Sequence, residues 1–324
     1  MNAHKSLLQA ARWRPLELAF WVLAFVSPWA VAQHALIINE IAIVALFAVS
    51  LDLVLGYTGI VSLGHAAFLG FGAYAAALFA KHIHPDPLLG LCVGVVVATL
   101  LGAVCSLSIM RGTDLTRLMV TLGTALILLE LANKYSDLTG GADGLQGVIM
   151  GPLLGKFEFD LMGQVSAWYS LTVLLLFFVL ARRLVHAPLG ATLKAVRDNR
   201  LRAMAIGVPV ASRIAVVYTV AAGVAGGAGA LMAQTTGFAS LDVFALDRSA
   251  DVMLMLAMGG VGWLYGGIVG AIAFKLMYDV IAGITPQYWT FWIGLFLVVL
   301  VMVGRERLIR PWTWFSSKRQ EGAV

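Results

Sequence analysis

The chain has 324 residues, of which 60% are hydrophobic and only 12% charged, and its mean hydropathy is +0.90. Soluble domains carry about 25% charged residues, so 22 basic and 17 acidic side chains cannot solvate a globular surface of this size. A soluble enzyme, a nucleic-acid binder and a disulfide scaffold are therefore excluded. Several apolar runs reach the ~20 residues that cross a bilayer, which implies an all-α, polytopic membrane protein. Cys92 and Cys105 share one apolar run and read as packing residues.

The first apolar run covers residues 16–32, behind Lys5, Arg12 and Arg14. Ala30-Val31-Ala32 resembles a signal-peptidase site, but the run is long and Pro28-Trp29 precedes the site, so a retained first helix is expected. The second run is 36–55. The third, 60–80, follows the Gly56-Tyr57-Thr58-Gly59 break. The fourth, 88–110, follows the turn Pro85-Asp86-Pro87. The fifth is 115–132. A polar outer segment, 133–164, leads to the sixth run at 165–181. A basic segment, 182–213, precedes the seventh at 214–234. The run 250–282 is too long for one ordinary pass, and Gly259-Gly260 to Gly266-Gly267 marks its break. The last run is 288–304.

Charge placement orients these runs. With both termini in the cytoplasm and about ten crossings, one side collects Lys5, Arg12, Arg14, Arg111, Arg117, the cluster from Arg182 to Arg213 and the residues from Arg305 to Arg319. Lys81, Lys134, Lys156 and Arg248 fall on the other side. That asymmetry is the positive-inside signature, and it requires the 250–282 run to cross twice. Residues 1–324 thus read as a single transmembrane domain with a cytoplasmic segment at 182–213 and an outer segment at 133–164.

Thirty-four glycines, several at small-xxx-small spacing (Gly90/Gly94, Gly223/Gly227, Gly262/Gly266/Gly270), predict close helix packing. The stretch GYTGIVSLGHAAFLGFGAY (56–74) goes further, with Thr58, Ser62, His65 and two tyrosines at membrane depth. Irregular backbone there is tolerated only inside protein or beside a cavity. A broken helix beside a permeation path and a glycine-rich packing helix with a satisfied histidine are both open readings. On the first, the path residues are Gly56, Gly59, Ser62, Gly64, His65, Phe68, Gly72 and Tyr74. Lys275 and Asp279, spaced i,i+4, are expected to neutralise each other. Glu40 and Glu130 lie near helix ends, and Asp52 lacks an evident partner.

No enzyme motif is present. Gly155-Lys156 lacks the glycine spacing of a phosphate loop. His82, His84 and Asp86 in a short loop do not make a metal site, and Ser62 with His65 lacks a third group to orient the histidine. The cytoplasmic stretch 187–209 is more informative. Pro188 suits a first helical turn, Asp198 or Asn199 a cap for a second short helix, and Gly207 with Pro209 a stop. Leu189, Leu193 and Val196 form one apolar stripe among Lys194, Arg197, Arg200 and Arg202, which predicts a helix that docks into a partner's groove.

The motif LGYTGxVSLGHAAFxGxGAY at 55–74 resembles the signature of branched-chain amino-acid ABC permeases of the LivM type. Thr139-Gly-Gly-Ala-Asp-Gly144, the stretch 187–207 ending in Arg-x-x-Ala-x-x-x-Gly, and the glycine series at 255–270 are similar to further motifs of that family, in the same order. The resemblance implies a subunit that is not itself an enzyme and binds no cofactor, since ATP and Mg²⁺ belong to partner subunits. Those partners are a second related permease, two cytoplasmic ATPases and an external solute-binding protein, in the inner membrane of a bacterium. It implies ATPase coupling through Leu193, Arg197, Asp198, Asn199, Arg202, Ala203 and Gly207. Thr192 and Arg200 depart from the family's usual residues. The substrate is left open between branched-chain amino acids, urea or short amides, and aromatic solutes. A proton-coupled transporter using Asp52 and His65 is the rival of another class.

Overall fold

The computed structural model describes residues 14–109, 114–160 and 162–284, with a few further positions up to 298. It divides into two units, one ending at Ala271 and the other beginning at Ile272. All regular structure among the described residues is helical, apart from two isolated bridges. The described helices of six residues or more are α1 (Pro15–Ala30), α2 (Ala35–Thr58), α3 (Ala66–His82), α4 (Pro87–Ile109) and α5 (Asp114–Lys134), followed by α6 (Gln164–His186), α7 (Pro188–Asp198), α8 (Arg200–Ala205), α9 (Val210–Thr236), α10 (Leu246–Gly259) and α11 (Leu264–Ile284). Among the described residues, six helices are long and apolar enough to cross a membrane: those of α2, α4, α5, α6, α9 and α11. The chain is thus a multi-pass membrane protein. The expected pass at 288–304, and with it the count of ten, lies largely outside the described residues, as do Lys5, Arg12, Arg111 and residues 305–319.

The break expected at 56–59 lies at 59–65: residues 56–58 finish α2, and 60–65 do not open the next helix. Helix α2 stops at Gly59, whose φ of +73° is the left-handed turn that glycine adopts without steric cost. The chain then runs without regular helix through 59–65 and restarts at Ala66. The N–H of Ala66 is capped from far away, by the Ser249 hydroxyl of α10 at 3.0 Å. Asp86 caps α4, its Oδ1 accepting the N–H groups of Leu88 and Leu89. The long apolar run 250–282 is split between α10 and α11.

The core of the first unit is built around α9, which packs on α3 and α4 through small residues. A Cβ added to Gly72 would collide with the backbone of Gly226, one on Gly226 with Ala98, and one on Gly229 with the Leu69 carbonyl. In lipid no hydrophobic drive separates helix from tail, so this close backbone approach and its dispersion contacts hold the helices together. Polar ties supplement it. Gln234 Nε2 donates to the Pro87 carbonyl at 2.7 Å, and the Tyr169 hydroxyl to Gln234 Oε1 at 3.0 Å. Ser170 donates to Asn39 at 2.6 Å. Helix α1 is fixed to α6 by an Arg182–Glu17 ion pair of 2.6 Å and by the Trp21 ring against Phe178. In the second unit, Lys275 and Asp279 pair at 3.3 Å, as their spacing predicts.

Candidate functional site

Helices α2 and α3 run antiparallel around the irregular 59–65 stretch, so the bundle has two distinguishable ends. At the far end of α3, Lys81 donates to the Gln146 carbonyl at 3.1 Å and Gly151 N–H to the Pro85 carbonyl at 2.8 Å. There the 137–146 segment folds into a compact turn. The Thr139 hydroxyl donates to the Ala132 carbonyl at 2.6 Å, and Leu145 bridges to Ala239. An open cleft of about 430 Å³ is lined there by Lys81, His82, Asp137, Asp143 and Gln146, among others.

The sequence-derived path residues lie mostly inside the chain's own bundle. Ser62, Gly64, His65, Phe68, Gly72 and Tyr74 are buried, while Gly59 is exposed. Gly64 lies against the Thr121 carbonyl of α5, and the Tyr74 ring stacks on Phe244. His65 has no exposed surface and sits between Phe47 and Phe68. Its Nε2 is 2.8 Å from the Ser50 hydroxyl, which itself donates to the Phe47 carbonyl at 2.6 Å. The other ring nitrogen, Nδ1, has no hydrogen-bond partner among the described residues.

The opposite end carries α7 and α8. Pro188 opens α7, and Asn199 caps α8, its Oδ1 accepting the Arg202 N–H at 2.9 Å. Gly207 follows α8 with a φ of +86°. The apolar stripe differs from expectation. Leu193 is 0% and Val196 5% exposed, turned into the chain's own helices, and Ala203 is buried with them. They support the segment from within. The free apolar edge belongs to α8 and the residue after it: Leu201 is 75% exposed, Met204 46% and Ile206 72%. Sequence periodicity misses these because α8 has only six residues, too few to show a stripe. Asp198, Asn199, Arg202 and Gly207 are exposed around this edge.

Arg197 turns towards its own chain. Its Nη1 donates to the Gly56 carbonyl at 2.7 Å, with Asp198 at 3.4 Å from Nε. Lys194 lies 5.6 Å from the centre of the Tyr57 ring. Asp52, one turn before Gly56, finds the partner that the sequence does not reveal: its Oδ1 accepts the Gly262 N–H at 2.7 Å.

A family profile described as "Branched-chain amino acid transport system / permease component" matches residues 34–303. The chain is 26% identical over 337 aligned positions to the high-affinity branched-chain amino acid transport system permease protein LivM of Escherichia coli K12, covering 95% of this chain and 77% of that protein. It is 25% identical to the LivM protein of Salmonella typhimurium LT2, covering 94% and 76%. No solved structure matches significantly. Matched over most of its length, the chain belongs to the family of permease components of branched-chain amino acid transport systems.

Proposed function

We propose that this permease forms one half of the membrane path of an ATP-driven importer for branched-chain amino acids in a bacterial inner membrane. A second, related permease supplies the other half. Two ATPases dock at the α7–α8 end, and an external solute-binding protein delivers substrate at the end that holds the 137–146 cleft. ATP and Mg²⁺ are handled by the ATPases. The observation that carries the reading is the family match over 34–303, joined by a basic surface segment whose one free apolar edge is Leu201, Met204 and Ile206. Such an edge is a hot-spot-sized anchor for a partner's groove. Asn199 fixes its start and Asp198, Arg202 and Gly207 frame it.

On this reading the 56–74 segment is the spine of the path's wall. Its smooth glycine contacts with α9 let the helices shift while remaining packed, and each partner drives the change by binding one conformation better than the other. Proton coupling through Asp52 and His65 has less support, since both side chains are wholly enclosed by the chain.

Co-purification of the tagged chain tests the reading. Recovery of a second permease and two ATPases, with leucine import that needs ATP and the binding protein, is the expected outcome. A Leu201→Asp/Ile206→Asp variant should insert normally and lose the ATPases. Import of urea, short amides or aromatic solutes in preference to leucine would move the substrate assignment. A lone chain driven by a proton gradient would overturn the importer reading.

A further inference from the structure

Three elements meet on two successive turns at the end of α2. The Gly56 carbonyl is one of the last four of the helix and lacks an intrahelical donor. Arg197, from α7, supplies one at 2.7 Å. The cation thereby also sits at the negative end of the α2 dipole, where charge-assisted bonds are strongest. One turn earlier, Asp52 accepts the N–H of Gly262, in the turn between α10 and α11, at 2.7 Å. There is no slack between these contacts. A Cβ on Gly56 would strike Asp52 and the Gly262 backbone, and one on Gly262 would lie 3.0 Å from Arg197 Nη1. Gly262 has a φ of +80°, so the turn that presents its N–H favours glycine.

We propose that Arg197 and Asp52 form a transmission junction. Arg197 acts within its own chain, by gripping the end of α2 at Gly56, and not by touching an ATPase. Asp52 passes the same displacement to the α10–α11 turn through Gly262. Movement of α7 is thus delivered to two transmembrane elements at one point. Packed contacts of this kind transmit displacement because they cannot deform continuously. Lys194, one turn before Arg197 on the same face of α7 and near the Tyr57 ring, steadies the grip. Both residues are positioning residues, and the inference rests on the importer reading above.

The test is the purified whole transporter in liposomes, reading leucine import per ATP hydrolysed for wild type, Arg197→Ala, Arg197→Lys, Asp52→Ala and Asp52→Asn. The Arg197→Ala and Asp52→Ala complexes should retain their ATPases and their ATP hydrolysis. Import per ATP should fall on the order of tenfold, the scale of one lost charged hydrogen bond. Arg197→Lys and Asp52→Asn, each able to keep one bond, should fall less. The double alanine variant should be no worse than the poorer single one, because the two residues act in series. Loss of the ATPases from Arg197→Ala, to the extent seen with Leu201→Asp/Ile206→Asp, would overturn the junction, as would unchanged import per ATP. So would failure of all four single variants to accumulate, which would make these bonds folding elements only. Failure of wild type itself to recover ATPases is a separate result that removes the importer reading and the junction with it.

Discussion

Gln234 is buried where an amide is expensive unless all its bonds are made. It gives its Nε2 hydrogen to the Pro87 carbonyl and takes the Tyr169 hydroxyl at Oε1, while Gly90 leaves space for its head. Tyr169→Phe removes one donor and leaves Gln234 half satisfied, a loss of about 1 kcal/mol. Gln234→Leu removes the bonds to the tyrosine hydroxyl and to the Pro87 carbonyl, leaving those two only their mutual 3.2 Å bond, and costs about 2 kcal/mol. Unfolding of the two variants in detergent should therefore show the larger drop for Gln234→Leu; equal drops would mean that the Tyr169–Pro87 bond makes up for the lost amide. Gly207 poses a different question. Nothing lies within 4 Å of a Cβ built there, yet its φ is +86°. A valine meets backbone strain alone, of roughly 1–2 kcal/mol. Gly207→Val should insert at the wild-type level and lower transport by displacing the exit from α8; wild-type transport would show that this turn is not part of the coupling path.

At the scale of elements, the glycines separate into those that touch and those that do not. Gly72 on α3 leaves no room for a methyl against Gly226, whereas Gly123 on α5 has open space around its Cβ position. Gly72→Ala must push α3 off α9 and should cost about 1–3 kcal/mol, with reduced accumulation in membranes. Gly123→Ala should be neutral or stabilising by up to about 1 kcal/mol through helix propensity. A destabilised Gly123→Ala would place a partner against that face. Small-xxx-small spacing in the sequence predicts close packing without telling these cases apart, because spacing does not say which helix lies opposite. The same limit explains α7. Pro188, Asn199 and Gly207 declare the helix ends locally, through ring geometry, side-chain capping and positive φ, and all are legible in the sequence. Which way the stripe Leu193–Val196 faces depends on the bundle beneath it, and so does the partner of Asp52, 210 residues away in the chain at Gly262. A break beside Gly59 and a split near 260 are legible for the local reason that glycine pairs interrupt apolar runs; the delay of the next helix to Ala66 is not, because 60–65 is itself apolar.

For the molecule as a whole, sidedness is the statement that joins the charge pattern to the fold. Helix α3 has 17 residues, about 25 Å at 1.5 Å per residue, and it separates the Arg197–Gly56 contact from the Lys81–Gln146 contact. The α7–α8 segment and the 137–160 segment therefore occupy opposite ends of the bundle. The former is rich in Lys and Arg while the latter has mainly Asp and Glu, and on the proposed reading the positive-inside rule puts α8 on the cytoplasmic side. Two exposed leucines report the two ends: Leu201 on α8 and Leu154 in the tight 153–157 turn. In a background with Cys92 and Cys105 replaced, Leu154→Cys should react with a membrane-impermeant maleimide in intact cells. Leu201→Cys should react only in inside-out vesicles. The reverse pattern would invert the topology and move the ATPase edge to the wrong side. Labelling of both positions from one side would contradict the antiparallel run of α2 and α3, and with it the placement of the coupling segment beneath the bundle.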